Sequence, residues 1–205
     1  MSGRWHIGAL SSALLLVAPL SSEAVADPEP LPAFATCMNI EIARYERALK
    51  RLREGPEDGF EIGETYGTEF CGTVGIVRCD RSEAPLPCQH ALAETQDEMT
   101  AEVMATLPEP AEVAGRDGTE SDALYPALWA LARDRSAGDD CAGSTEVMEA
   151  WCEAREANRR LGSAVLAWQM ARFLGAAPRA TEAGWAQKPP PLRPMARPGS
   201  TGDTR

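Results

Sequence analysis

The sequence predicts an all-α fold: a small disulfide-stapled helical domain of about four helices, with a short irregular or β-hairpin segment. Three observations carry this reading. Apolar residues recur at steps of three and four along four separate stretches, the spacing that lines one face of a helix. Prolines and glycines cluster between these stretches and punctuate them. Six cysteines follow an export leader, and an even number in an exported chain reads as a disulfide framework.

The leader comes first in the chain. Arg4 supplies a positive n-region, residues 7 to 20 an apolar run, and Ala24-Val25-Ala26 a small-residue triplet, so residues 1 to 26 read as a signal peptide cleaved before Asp27. The run falls short of the roughly 18 to 20 apolar residues that a permanent span needs, and no later stretch reaches that length, so no membrane insertion is expected. A lipid anchor would need a cysteine at the cleavage point, whereas the first cysteine is Cys37. Residues 27 to 35 hold three prolines and read as an extended leader. Residues 36 to 186 then read as a single helical domain. From 187 to 205, prolines at 189, 190, 191, 194 and 198 with few apolar groups predict a disordered tail.

Within the domain, Met38, Ile42, Tyr45, Leu49 and Leu52 form a stripe on a first helix, capped by Thr36 and stopped at Gly55-Pro56, with Glu46 and Lys50 one turn apart. Residues 59 to 79 carry glycines at 59, 63, 67, 72 and 75 beside the β-branched Ile62, Val74, Ile76 and Val77, which predicts short strands or a cysteine-pinned loop. Pro85 and Pro87 open a second helix, whose stripe is Cys88, Leu92, Met99, Val103 and Leu107, closed by Pro108 and Pro110. Ser121 or Asp122 caps a third, with Leu124, Leu128 and Leu131 facing inwards, Tyr125, Trp129 and Ala132 beside them, and an end near Gly138. Ser144 caps the longest, where Val147, Trp151, Ala154, Asn158, Leu161, Val165 and Trp168 keep the spacing as far as Gly175, with Gly162 a soft point.

The cysteines are Cys37, Cys71, Cys79, Cys88, Cys141 and Cys152, and all six are expected to be structural. Fifteen full pairings are open; the near-neighbour set, 37 with 71, 79 with 88 and 141 with 152, is the one expected. Residues 27 to 186 hold 29 acidic against 15 basic residues, whereas the tail holds four basic and one acidic. A body of that sign repels phosphate backbones and anionic lipid, which argues against nucleic acid and favours a basic protein partner.

Catalytic chemistry has little to work with. His6 leaves with the signal, so His90 is the only imidazole of the mature chain, which removes HExxH zinc sites and leaves one candidate base for any triad. Two carboxylates such as Glu98 and Glu146 could be imagined as a hydrolase pair, but Glu94, Asp97, Glu98 and Glu102 read more simply as the solvated face of the second helix. Asp139-Asp140 suits the positive end of the following helix better than a cation site. Trp129, Trp151 and Trp168 read as core anchors. No enzyme activity, metal or cofactor is expected.

One further pattern involves several motifs in order. Cys88, Leu92-Ala93 and Asp97-Glu98-Met99-Thr100 are followed by Trp129 with Arg133-Asp134, then Cys141, Gly143-Ser144, Met148, Cys152 and Arg160. Over residues 79 to about 165 this order resembles the LprI-like periplasmic lysozyme-inhibitor family. The spacing departs from that family between Arg133-Asp134 and Cys141, and Ala157 stands where it has threonine. The resemblance implies a helical module that binds a lysozyme-like muramidase and blocks its cleft, with Trp129, Arg133 and Asp134 orienting one helix against another. The function expected is therefore that of an exported envelope binding protein, periplasmic or secreted. The alternatives are a structural or interaction module with no enzyme target and an acid-base hydrolase of wall sugars.

Overall fold

Five long helices and two single-turn ones follow one another along the described residues: α1 (Phe34–Glu54), α2 (Tyr66–Asp80), α3 (Pro85–Ala105), α4 (Pro110–Val113), α5 (Glu120–Arg133), α6 (Glu146–Phe173) and α7 (Ala180–Ala183). The computed structural model describes residues 31 to 54, 65 to 113, 120 to 133 and 141 to 189, all in one compact unit that starts at Leu31. The expected signal peptide and most of the expected tail fall on residues 1 to 30 and 190 to 205, which lie outside the described set. The fold is all-α and carries three disulfides, Cys37–Cys71, Cys79–Cys88 and Cys141–Cys152, with no free cysteine. Three disulfides suit a chain that folds outside the reducing cytoplasm. No helix among the described residues is long and apolar enough to cross a membrane.

The organising element is α6. Thr145 caps it, its hydroxyl accepting from the Met148 amide at 3.4 Å, so the cap lies one residue beyond the expected Ser144. From Leu161 to Ala171 almost every residue is buried, Gly162 included, and the helix runs unbroken through that glycine. A helix buried nearly all round sits at the centre of a bundle. It packs most extensively on α3, then on α5 and α2.

The largest correction concerns residues 59 to 79. Residues 55 to 64 lie outside the described set, but 66 to 80 are helical, not strand or hairpin. The glycines that argued against helix are there for close approach. A Cβ on Gly72 would collide with the Asn158 side chain of α6, one on Gly75 would lie 2.9 Å from Leu92 of α3, and one on Gly67 2.7 Å from Glu41 of α1. Tertiary packing on three neighbours outweighs an intrinsic cost of about 1 kcal/mol per glycine.

Smaller corrections concern where helices start and which of their faces are buried. α1 opens at Phe34, so Thr36 lies inside it and is not its cap. α5 opens at Glu120, before Ser121 and Asp122, and carries Pro126 within it, where one backbone hydrogen bond is lost. Its buried line is Tyr125, Leu128 and Ala132, while Leu124 and Leu131 are exposed, against the expected inward trio. Val147 is likewise exposed at the start of α6.

The chain after α6 folds back over that helix. Gly175 at φ 70° turns it, the Trp168 indole donates to the Pro178 carbonyl at 3.1 Å, and Trp185 packs edge-on against Trp168 with centroids 4.9 Å apart. On the other side Tyr45 of α1 meets Trp168 at 5.4 Å and donates its hydroxyl to the Gln169 carbonyl. Arg172 bridges to Glu46 of α1 at 3.0 Å with both side chains largely buried.

Candidate functional site

The face that stands out is built by α1 and α2. The disulfide joins Cys37 to Cys71, and Glu41 meets Gly67, so α2 runs back four residues as α1 runs forward four, and the two helices are antiparallel. Positions Tyr45 on α1 and Gly72 on α2 turn towards α6. At 100° per residue, Ile40, Tyr66 and Phe70 then fall on the opposite, outer side of the pair. All three are solvent-exposed, Ile40 at 43 %, Tyr66 at 63 % and Phe70 at 45 %. Tyr66 and Phe70, one turn apart, stack at 6.4 Å between centroids and 16° between planes.

Charges border this apolar face: Glu69 is exposed and accepts from the Thr65 hydroxyl at 2.8 Å, and Arg44, one turn beyond Ile40, is exposed and pairs at 2.8 Å with Glu41, whose side chain is largely buried against α2. Behind the apolar face, Glu41, Tyr45, Thr68, Val165 and Gln169 line a depression of about 50 Å³. That volume holds a water or two and falls well short of the roughly 300 Å³ at which small-molecule pockets begin. What this surface offers chemically is contact: aromatic area on a backbone that a disulfide and close helix packing hold rigid.

The residues expected from sequence fall elsewhere. The Arg133 guanidinium lies 4.3 Å from the Trp129 ring centroid, a cation–π contact along α5, and Trp129 packs against the core; Asp134 lies outside the described residues. Trp129 and Trp151 are only partly buried, and Arg155 sits 4.5 Å over Trp151 in the same way. Of the three expected core anchors, Trp168 alone is fully buried. His90 reaches Glu153 of α6 at 2.7 Å on the exposed surface. Glu98 and Glu146 are both exposed, and Asp139-Asp140 lies outside the described set. Among the described residues no cluster of His, Cys, Asp and Glu is arranged to hold a metal.

Asp97 keeps the solvent exposure expected of it, its side chain 43 % exposed, and also holds a partner. It accepts from Arg160 of α6 through both carboxylate oxygens, at 2.7 and 3.0 Å, with Arg160 largely buried. Next to it Gln96, fully buried, donates to Asn158 at 3.3 Å, and Gln89 donates to Asp80 at 2.8 Å. Tyr125, also buried, donates to the Pro108 carbonyl at 2.7 Å. Burial first, then the nearby Glu109 and Glu112, push its phenol well above the ordinary tyrosine range, so it stays protonated.

Sequence reasoning passed over Ile40, Tyr66 and Phe70. The signal was an aromatic pair at i and i+4, visible only once residues 66 to 80 are taken as helix. Compared with protein-family models, with curated proteins and with solved structures, the chain matches none.

Proposed function

We propose that this chain is an exported binding protein of the cell envelope that engages a protein partner through the outer face of α1 and α2, and that the partner is a basic, lysozyme-like muramidase. The observation that carries the reading is the exposed Ile40, Tyr66 and Phe70 on a disulfide-tied helix pair. Large apolar side chains grouped on a rigid surface and rimmed by charge are what binding hot spots are made of. The muramidase is supported by the acidic body, whose field accelerates encounter with a basic protein, and by the order of motifs from Cys88 to Arg160.

Purified mature protein added to a basic muramidase is expected to abolish lysis stoichiometrically, less so at high salt, and Tyr66→Ser with Phe70→Ser is expected to lose that effect while the far-ultraviolet circular dichroism is unchanged. Undiminished lysis at a large molar excess removes the muramidase. Recovery of a different stable partner that the double variant no longer holds keeps the docking face and gives the protein a structural role.

A further inference from the structure

We infer that the Ile40–Tyr66–Phe70 face takes an acidic patch of its protein partner, because the stripe of α1 that borders it is cationic on a body that is otherwise strongly acidic. The inference deepens the docking-face reading and rests on it, and its test needs no muramidase.

Ile40, Arg44, Arg47 and Arg51 follow one another at steps of four, three and four, which places them on one side of α1. All four are exposed. The two acidic side chains between residues 34 and 51 are turned away from solvent. Glu41 is 19 % exposed and holds Arg44, and Glu46 is 12 % exposed and holds Arg172 of α6. What α1 shows to solvent beside Ile40 is therefore positive.

The surroundings have the opposite sign. Glu94, Glu98 and Glu102 are exposed along α3, and Glu146, Glu149 and Glu153 along the first turns of α6. Against that background three arginines in one row beside a large exposed apolar residue are a local departure from the average charge. The row also lies on the correct edge of the face. Cys71 turns towards α1, and at 100° per residue Phe70 and then Tyr66 come next around α2, with Glu69 beyond them on the side away from α1. The face thus runs from arginines, through the stacked rings, to a carboxylate that already holds the Thr65 hydroxyl.

Arginine beside aromatic rings is the composition of interface hot spots, and a guanidinium pairs with a carboxylate through two parallel hydrogen bonds. At physiological salt a charge is screened over roughly 8 Å. The acidic body accordingly steers the encounter, whereas the arginines decide the contact. A basic muramidase still offers a matching patch, since two carboxylates flank the bond that such an enzyme cleaves. An anionic bilayer fits less well, because a broad plane of negative charge would repel the acidic body around the stripe.

The test uses the whole mature chain at physiological salt and, as probe, the acetylated peptide Glu-Glu-Leu-Glu-Glu, with Lys-Lys-Leu-Lys-Lys as its counterpart. The acidic peptide is expected to shift the Ile40 methyl and the Tyr66 and Phe70 ring resonances saturably, and the lysine peptide to leave them in place. Arg47→Glu with Arg51→Glu should weaken the acidic peptide about tenfold or more, Arg47→Lys with Arg51→Lys should retain most of its binding, and both exposed pairs should leave the far-ultraviolet circular dichroism unchanged. Unmoved resonances, an equal response in native and reversed chains, or a stronger response to the lysine peptide overturns the inference. Dilution that moves the same resonances without any peptide overturns it by assigning the face to a second copy, and their loss on phosphatidylglycerol vesicles alone does so by assigning it to a membrane. A failed lysis assay leaves the peptide readouts untouched, so the two readings fail separately.

Discussion

The two halves of α6 carry the same spacing of large and small residues yet sit in different surroundings. In the C-terminal half, Leu161, Val165, Trp168 and Met170 are buried, and Trp168 meets both Tyr45 and Trp185. In the N-terminal half Val147 is exposed, Trp151 is half covered by Arg155, and contact with α3 runs through polar groups, Asn158 to Gln96 and Arg160 to Asp97. Periodicity names the inward face of a helix. How deep that face lies depends on which elements come to cover it, and here the cover is a returning segment on one half and an ion-paired helix on the other.

Truncating the two tryptophans breaks or upholds this contrast most directly. Trp168→Ala is expected to cost about 3 to 5 kcal/mol, because a fully enclosed indole leaves a cavity and deprives Trp185 of its partner. Trp151→Ala, at the half-covered end, is expected to cost about 1 kcal/mol, the scale of an exposed cation–π contact. Urea denaturation of both reads the difference, and equal losses would erase the distinction.

Two glycines sharpen it with opposite signs. Gly72→Ala drives a methyl into Asn158 at the polar layer and is expected to destabilise by about 1 to 3 kcal/mol. Gly162→Ala meets nothing nearer than a Thr68 methyl at 3.9 Å and is expected to stabilise by about 0.5 to 1 kcal/mol through helix propensity. Thermal midpoints should move apart, the first down and the second up.

Tyr125 gives the smallest effect. Its folded pKa lies above its ordinary value of 10.0, so the stability it contributes is complete below pH 10 and is lost as pH rises beyond it, where the unfolded chain ionises first. Tyr125→Phe loses the hydrogen bond to Pro108, about 1 kcal/mol, and with it that part of the alkaline decline. Denaturation midpoints of the two proteins at pH 8 and above pH 10 should therefore converge.

Much of this architecture is legible in single residues. The Met38, Ile42 and Leu49 stripe is buried as its spacing requires, Pro85 opens a helix because its missing amide costs nothing at that position, and the cysteines are joined to their near neighbours. The exposed apolar face of α1 and α2 was not legible. Its aromatic pair sits among glycines whose propensity points to strand or loop, and glycine means something different when another helix lies against it.

By itself the sequence determined that this is a helical, cysteine-braced, acidic protein, because periodicity, cysteine count and charge are local or additive properties. Only the tertiary structure decided that residues 66 to 80 are helix, which tryptophan is sealed, and that Asp97 belongs to Arg160. Those outcomes depend on contacts between different helices, from 17 positions apart for Gly75 and Leu92 to 63 for Asp97 and Arg160, and the periodicity of one helix does not contain both partners.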